Sequence, residues 1–415
     1  MTRRLRVDFL TPPFSGHLHP ALAMAQILSP HYDVRIISTP GAAERIRTAG
    51  FRSVMLMAGV DGTLRSIASP PRAVKGNPLR MHRQFQQALK LLIALGSQIT
   101  ELYQTDPPDL LIADFTLPTG GLAAQRLGIP WWTSLPSPCV LETPDGPPAY
   151  LGGLPIRDNL LGTARDAAGR TAVRWFKLLL FRMYRGPLRK AGLQRVYRGD
   201  GSESVYSPER ILALGLPQLE FAKQWPVAVR FVGPMLYTPP TGSPTPEFRA
   251  GCRHVLVTLG THLEWHKNAV ADAVREIAPR FPDVMFHFSD GTLDHSGSRV
   301  DGNFTRLSFV DYQRWLPRYD LVFHHGGAGI MYYCIANARP AVVYPIDYDQ
   351  FDHAARLSHA GLALRLHRIG DLEATLRRAL NDVQLPLRCA SFRESCKFAG
   401  NEHPLLELLR LRFAD

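Results

Sequence analysis

A glycine-rich run with two histidines, HHGGAG at residues 324–329, has residue types suited to binding an anion. The apolar residues 321–323 before it predict a buried strand, and residues 330–337 after it predict the start of a helix. Glycines at such a turn let the backbone approach a ligand and point several N–H groups at one anion. The positive end of the following helix adds to the attraction. We therefore expect a phosphate or diphosphate to bind here.

A carboxylate and an amide, Asp349 and Gln350, follow one β-unit later in the string PIDYDQFDHA. Both side chains can form hydrogen bonds with sugar hydroxyls. Together with the anion-binding turn, the pair indicates a nucleotide-sugar site. The alternative is that Asp349 only begins a helix, where aspartate is favoured anyway.

Length and composition are those of a folded protein with two α/β domains. The chain has 415 residues, of which 45% are hydrophobic and 20% charged, and it has no uninterrupted apolar run of about twenty residues. The N-terminal MTRRLRVDFLTPP predicts a first buried strand rather than a signal peptide, because its apolar part is short and alternating. The five cysteines form no C-x-x-C pair, so we expect neither a disulfide framework nor a structural zinc, and we expect a cytoplasmic protein.

The net charge of +12 favours anionic ligands in general. No basic segment is interleaved with aromatic residues in a recognisable nucleic-acid motif, so no nucleic-acid partner is expected. The densest basic stretch, residues 165–198, mixes Arg and Lys with aromatic and leucine residues. It predicts either a helix resting on a membrane surface or a solvated helix that covers a core.

Strands and helices alternate along the whole chain, which favours parallel sheets covered on both faces. In the first half, strands are predicted at residues 5–11, 32–38, 109–114, 129–134, 210–214 and 229–232, and helices at 19–28, 42–49, 81–103 and 117–127. A second alternating series is predicted at residues 254–259, 270–279, 284–288, 304–310, 321–325, 341–345 and 362–366 with helices between, and a last helix at 404–413. A segment rich in Pro, Gly, Ser and Thr separates the series. It gives an N-terminal domain at residues 1–232, a linker at 233–251 and a C-terminal domain at 252–415.

The order of four motifs resembles that of a known group of enzymes. These motifs are TPPFSGHLHPALAMAQIL near the start, FVGP before the linker, VLVTLGT after it, and the block from HHGGAG to the Asp-Gln pair. The chain resembles the family-1 glycosyltransferases of the GT-B type, which use UDP- or dTDP-sugars to modify natural products and lipids. The resemblance implies two doubly wound Rossmann-like domains facing across a cleft, the last helix being a candidate to cross back to the first domain. It also implies inverting, metal-independent sugar transfer with the nucleotide sugar as co-substrate and no cofactor.

The resemblance implies His17 as the base that takes the acceptor proton. Gly16 and His17 are predicted in the loop after the first strand, where a neutral imidazole would face the cleft. Asp114, at the end of the apolar run LLIAD, would fix the tautomer of the histidine and stabilise its charged form. His19 is the rival base, although it could simply pack or cap the helix. Asp114 could likewise only cap the helix that follows it.

The donor-binding residues are implied in the second domain. Gly260 and Thr261, at the end of a strand, would contact the diphosphate, and His325 would contact it from the glycine-rich run. His324 is expected to face the sheet interior. Residues 309–316 match the segment that cradles the nucleobase. The full predicted set is Gly260, Thr261, Phe309, Val310, Tyr312, His325, Gly326, Gly327, Ala328, Gly329, Asp349 and Gln350.

The chain departs from the family pattern close to the donor. Relatives carry Ser or Thr where this chain has Ile330, Glu where it has Tyr333, and Asn where it has His353. The Trp-x-Pro-Gln of the nucleobase segment is replaced at Phe309, Asp311 and Tyr312. These changes leave the nucleotide and the sugar open.

The acceptor pocket is predicted in the loops at residues 59–79 and 137–184. Their apolar content, including Pro70 and Pro71, suggests a hydrophobic acceptor, unless these residues pack the cores of their own loops. Phe14, Trp131 and Trp132 are the acceptor-binding candidates.

Three other functions remain open. A sugar-nucleotide epimerase would share the fold, but it would need no acceptor-side Gly-His and Asp114. A partner protein without catalysis would account for Ile330 and Tyr333. A peripheral membrane enzyme acting on a lipid is indicated by residues 165–198.

Overall fold

The computed structural model describes residues 3–68, 78–240, 245–261, 264–292, 298–396 and 403–414. Pro70 and Pro71, in the predicted acceptor loop, lie outside the described residues. The first half contains β1 Arg6–Leu10, α1 Ser15–Leu28, β2 Asp33–Ser38, α2 Ala43–Thr48, β3 Arg52–Met55, α3 Asp61–Ala68, α4 Pro78–Thr105, β4 Leu110–Asp114, α5 Pro118–Arg126, β5 Trp131–Leu135, α6 Leu160–Met183, α7 Arg185–Lys190, β6 Ile211–Ala213 and β7 Val229–Phe231.

The second half repeats the alternation. It contains β8 Arg253–Thr258, α8 Glu264–Ile277, β9 Val284–Ser289, β10 Arg299–Asp301, β11 Phe304–Leu307, α9 Tyr312–Trp315, β12 Leu321–His324, α10 Ala328–Ala336, β13 Ala341–Val343, α11 Gln350–His359, β14 Ala363–Arg365, α12 Leu372–Asn381, α13 Gln384–Ser395 and α14 Pro404–Phe413. The predicted linker, residues 233–251, falls between the two series.

Each half is built on a seven-stranded sheet. The first has the order β3-β2-β1-β4-β5-β6-β7 and is parallel throughout. The second has the order β10-β11-β9-β8-β12-β13-β14, in which only β10 pairs antiparallel. Chain order therefore reverses between β1 and β4 in one sheet and between β8 and β12 in the other. Ligands of such sheets bind beyond the carboxyl ends of the strands at these reversals.

Two predicted elements are wrong. Gly16 and His17 were expected in a loop, but they lie in the first turn of α1. The carbonyl of Phe14 accepts the N–H groups of His17 and Leu18, at 2.9 and 2.8 Å, so the helix closes despite Gly16 and Pro20, which disfavour helix in the sequence.

The second wrong element is residues 270–279, which were grouped with the strands and belong to α8 and the short turn after it. Val270, Val274 and Ile277 are buried. This spacing of four and three residues is that of one helix face, and a strand would have alternated instead.

Contacts between the two halves are polar as well as apolar. The guanidinium of Arg356, on α11, donates to the carboxylate of Glu220 in the first half at 2.7 Å, and only 5% and 1% of the two side chains are exposed. Arg365 donates to the backbone carbonyls of Gly152 and Gly153. The last helix, α14, packs Leu405 and other leucines into the core of the first half. An ion pair, hydrogen bonds and apolar packing therefore connect the two halves on either side of the cleft.

Removing one partner of the buried pair should destabilise the protein. Glu220→Gln leaves the Arg356 cation buried without its counter-charge, which is expected to cost about 3 kcal/mol of folding free energy. The midpoint of thermal unfolding, measured by circular dichroism, should fall by several degrees. Glu44→Gln is the matched control, because the Glu44–Arg47 pair is 72% and 74% exposed and should contribute almost nothing. Equal midpoints for the two variants would contradict this role.

Candidate active site

One cleft of about 790 Å³ lies between the two halves, beyond the carboxyl ends of both sheets. Its walls include residues from α1 and the turn after β4 in the first half and from the turns after β8 and β12 in the second. The strand order places the cleft there, because both sheets reverse beside these strands. The predicted site residues His17, Gly260, Thr261, His325 and Asp349 all line this cleft.

His17 and Asp114 form a hydrogen-bonded pair on the first-half side of the cleft. Nδ1 of the imidazole lies 2.9 Å from Oδ2 of the carboxylate. Asp114 ends the buried strand β4, and its other oxygen accepts hydrogen bonds from the backbone N–H and the hydroxyl of Thr116. Thr116, which the sequence analysis did not single out, therefore helps to fix the carboxylate.

The electrostatic environment of His17 favours its charged form. Burial of the imidazole opposes that form, but the charge and hydrogen bond of Asp114 outweigh it, with a smaller contribution from Asp349, so the pKa of His17 is raised above its usual value. The side chain still keeps 24% of its surface exposed. A second molecule in the cleft can therefore reach the imidazole.

His19, the rival base, has a different environment. Its ring packs against that of Tyr237, with centroids 5.4 Å apart. Burial and the nearby Arg45 cation lower the pKa of His19 to about 4. His19 also borders the cleft, but it lacks the carboxylate contact that orients His17.

The imidazole of His325 is held between two glycines. A Cβ atom at Gly260 would lie 2.8 Å from Cε1 of the ring, and one at Gly327 would lie 2.5 Å from Nε2. Neither position could carry a larger residue without moving the ring. Gly326 has a φ of +93° and packs against the carbonyl of Gln350, so glycine is required there as well.

The glycine-rich run lies at a strand-to-helix turn, as the sequence predicted. The turn follows β12, and α10 begins at Ala328 with no acidic side chain in its first turn. Ala328 and Gly329 line the cleft, so the N–H groups of the first turn and the positive end of this helix face it, beside His325. His324 turns the other way, as expected, and is fully buried. Its Nδ1 accepts the N–H of Gly326 at 3.0 Å, and burial, with His325 and His353 nearby, lowers its pKa to about 3.

Asp349 and Gln350 lie at the start of α11, and both are held in place. Asp349 accepts a hydrogen bond from the hydroxyl of Ser137, which belongs to the first half. The side-chain oxygen of Gln350 accepts the backbone N–H groups of Ile346 and Asp347, at 2.9 and 3.0 Å. Gln350 therefore shapes the loop with its oxygen, and only its NH₂ group remains for a ligand.

His353 connects the two parts of the second-half site. Its Nδ1 donates to the carbonyl of Gly326 at 2.7 Å, and its Nε2 lies 4.0 Å from the carboxylate of Asp349. The side chain is 1% exposed. The residue that departs from the family pattern here thus ties the glycine-rich turn to α11, and its ring lies beside the Asp349 carboxylate.

Comparisons with known proteins fit this geometry. No family model matches the sequence. The 4'-demethylrebeccamycin synthase of Lentzea aerocolonigenes is 26% identical over 390 residues, which is 91% of this chain and 91% of that protein. The zeaxanthin glucosyltransferase of Pseudescherichia vulneris is 27% identical over 355 residues, which is 80% and 82% of the two chains.

Solved structures give the fold. The structure of the glycosyltransferase of kitacinnamycin matches with a TM-score of 0.75 at 20% identity, over 99% of both chains. The spinosyn rhamnosyltransferase SpnG, complexed with thymidine diphosphate, matches with a TM-score of 0.62 at 18% identity, over 98% and 100%. The chain therefore has the GT-B fold, and it is similar over most of its length to proteins named as glycosyltransferases. The predicted fold class, resemblance and enzyme class are therefore confirmed.

The segment expected to cradle the nucleobase is only partly exposed to the cleft of this glycosyltransferase. Phe309 and Tyr312 line the cleft with their rings nearly parallel, at 21°, and 6.4 Å between centroids. The hydroxyl of Tyr312 is 2.8 Å from that of Thr258. The prediction that Val310 contacts the donor is wrong. Its side chain is fully buried in the second-half core and does not reach the cleft.

The two departures next to the glycine-rich turn have structural partners. Ile330, in the first turn of α10, is buried against the second-half core, and it also borders the cleft. The hydroxyl of Tyr333 lies 2.6 Å from that of Thr238, in the predicted linker. Tyr333 therefore binds the linker of this enzyme at the position where relatives carry Glu.

Of the three acceptor-binding candidates, Phe14 lines the cleft and stays a prediction. The prediction is wrong for Trp131 and Trp132, because both belong to the interior strand β5 and are 3% and 1% exposed in the core. The wall is formed instead by one face of α4, together with α3. It includes Phe85, Ala88, Leu92 and Leu95. Their spacing of three and four residues was visible in the sequence and would have identified this face.

Among the described residues, no three or more His, Cys, Asp or Glu side chains are grouped so that they could hold a metal ion. Nor does the described part of the chain contain a helix long and apolar enough to cross a membrane.

The close packing of His325 leads to a test of the anion site. Gly327→Ala should weaken the binding of inorganic pyrophosphate, measured by calorimetry, by about tenfold, because the added methyl displaces the His325 ring. Gly186→Ala is the matched control, since a Cβ there meets nothing within 4 Å. Unchanged pyrophosphate binding by Gly327→Ala would contradict a role for this packing.

Proposed function

We propose that the protein transfers a sugar from a nucleoside diphosphate sugar, UDP- or dTDP-linked, to a hydroxyl of a hydrophobic acceptor, with inversion and without a metal ion. One observation carries the proposal. His17, which is hydrogen-bonded to Asp114 behind it, the His325 turn and Asp349 border the same cleft, whose remaining wall is mainly apolar. Such a cleft offers a base, an anion site and an acceptor pocket together.

The base in this proposal is Nε2 of His17. Because Nδ1 is engaged by Asp114, the neutral ring carries its proton on Nδ1 and leaves the Nε2 lone pair for an acceptor hydroxyl. As the proton transfers, the Asp114 carboxylate stabilises the imidazolium that forms. Such general base catalysis contributes about 10²- to 10⁴-fold to a rate.

The donor is proposed to bind with its diphosphate at the His325 turn. The N–H groups at the start of α10 would stabilise the charge that grows on the departing diphosphate, which is the task a metal ion performs elsewhere. The thymidine diphosphate bound to SpnG supports a donor of this class. Asp349 would accept hydrogen bonds from sugar hydroxyls, either in addition to the hydrogen bond from the Ser137 hydroxyl or in place of it.

The positions of base and anion site on opposite walls of the cleft support the proposed inversion. His17 lies on the first-half wall and the His325 turn on the second-half wall. An acceptor oxygen activated by His17 would attack the anomeric carbon from the side opposite the diphosphate. One such displacement forms the new C–O bond as the old one breaks, and it inverts the configuration at that carbon.

The acceptor is proposed to be apolar, because the first-half end of the cleft is lined by side chains such as Met57, Leu64, Phe85 and Leu92. A polar acceptor would lose hydrogen bonds to water there without replacing them. The competing function is a protein that binds the nucleotide and does not transfer the sugar. Ile330 favours it, since an extra hydroxyl near the phosphates is missing.

The base assignment is tested with His17→Ala. Its turnover, measured by mass spectrometry with a panel of nucleotide sugars and apolar acceptors, should fall about 10²- to 10⁴-fold while nucleotide binding is retained. His19→Ala is the control and should keep most of the activity. If His19→Ala loses turnover and His17→Ala does not, the roles are reversed. If the wild type binds nucleotide but transfers nothing across the panel, the competing function is supported.

The pH dependence tests Asp114. The active form of His17 is neutral, so the wild-type rate should fall as the pH drops through the raised pKa of His17. Asp114→Asn removes the charge that raises this pKa while burial continues to lower it. The acid limb of the kcat/KM profile should therefore move to lower pH, while the plateau falls by about 10² or more. A limb that stays in place would show that Asp114 does not act on His17.

The apolar wall is tested by filling it. Ala88→Trp, on the cleft face of α4, should reduce kcat/KM for bulky apolar acceptors by about tenfold or more and leave nucleotide binding unchanged. Gln86→Trp, on the exposed face of the same helix, is the matched control. Equal acceptor kinetics in both variants would place the acceptor elsewhere.

A further inference from the structure

Helix α6, Leu160–Met183, has its polar and apolar faces reversed relative to an ordinary surface helix. The side facing the protein carries Asp166, Arg170 and Lys177, which are bonded there. Lys177 contacts Glu203 and Glu142 at 2.5 and 2.7 Å, and Arg170 donates to the carbonyl of Gly146. Ion pairs and hydrogen bonds therefore help to hold the helix to the protein, and many of its apolar side chains are left outside.

The outer side of α6 is a large apolar surface. Trp175 is 69% exposed, and Leu161, Phe176, Leu179 and Met183 are each more than half exposed. Their spacing places them along one side of the helix. The three alanines Ala164, Ala168 and Ala172 continue the same side. We call this surface the α6 face. A contiguous exposed apolar surface of this kind marks an interaction site.

The charge next to the α6 face is almost entirely positive. Between residues 160 and 199 the sequence has ten Arg and Lys residues and one acidic residue, Asp166, which is buried. The exposed cations Arg182, Arg185, Arg189 and Lys190 follow the apolar part, and none has an ion-pair partner among the residues that the structure describes. The occupant must therefore be apolar where it meets Trp175 and anionic where it meets these cations.

The α6 face adjoins the mouth of the cleft. Tyr184, directly after α6, packs against Phe85 with ring centroids 4.6 Å apart, and Phe85 lines the apolar wall. Met81, one turn earlier on α4, lines the same wall and is 52% exposed. On the other side, Tyr150 also lines the cleft and is followed by Leu151, which packs near Gly169 of α6.

We infer that the α6 face docks on the surface of an anionic lipid bilayer. The aromatic and leucine side chains would enter the interface between headgroups and acyl chains, and the adjacent cations would contact the anionic headgroups. The mouth of the cleft would then lie beside the bilayer, where an apolar acceptor dissolved in it can enter. The docking itself does not depend on the proposed transfer reaction, because it uses no residue of the active site.

Vesicle flotation with the full-length protein tests the inference. The wild type should float with vesicles of equimolar phosphatidylcholine and phosphatidylglycerol, bind pure phosphatidylcholine weakly, and dissociate from the mixed vesicles as salt is added. The triple variant W175S/F176S/L179S should lose binding by about tenfold or more. Arg182→Gln combined with Arg185→Gln and Arg189→Gln should lower the partition coefficient on mixed vesicles by roughly a hundredfold.

The matched control is V383S/L387S, which removes two exposed apolar side chains from α13 and the residue before it in the second half. It should bind vesicles like the wild type. No binding of the wild type to mixed vesicles, or equal binding of W175S/F176S/L179S, would overturn the inference. So would a dimer in sedimentation that this triple variant dissolves, because the occupant of the α6 face would then be a second copy. Since flotation needs no nucleotide sugar, its result is separate from the outcome of the transfer assays.

Discussion

The reversal of strand order beside β1 and beside β8 is the constraint on which the rest of the structure depends. Each reversal opens a crevice at the carboxyl ends of two neighbouring strands, and the two crevices face each other across the cleft. His17 follows β1, and Asp114 ends β4. Gly260 follows β8, and His325 follows β12. Residues distant in sequence meet because their strands are neighbours at a reversal, and no local interaction would bring them together.

Close packing then decides which residue types the second-half wall can carry. The His325 ring lies against two glycines, and His353 ties the turn to α11 through the carbonyl of Gly326. The positive end of α10 can face a ligand only because this turn keeps side chains out of its way. Ser137 extends the arrangement across the domain boundary by bonding Asp349. The geometry of the anion site and the relative position of the two halves are therefore linked.

The first half has two apolar surfaces, one inside the cleft and one outside. Inside the cleft, α4 presents an apolar face to the space where an acceptor would lie. On the outside, α6 presents an apolar face to the surroundings, while Asp166, Arg170 and Lys177 on its opposite side contact the protein. The two surfaces meet at Phe85 and Tyr184.

By itself, the sequence determined the alternating α/β plan, the glycine-rich turn, the Asp349–Gln350 pair and the resemblance that links His17 to Asp114, because each depends on local periodicity or on a short motif. It could not determine which aromatic side chains face the cleft. Trp131 and Trp132 are in a strand covered on both faces, and Val310 is in a core. The burial of these side chains depends on neighbours far away in the chain. The engagement of the Gln350 oxygen, the Ser137–Asp349 bond and the outward turn of Trp175 were likewise decided by tertiary packing, since each depends on which distant groups occupy the space beside it.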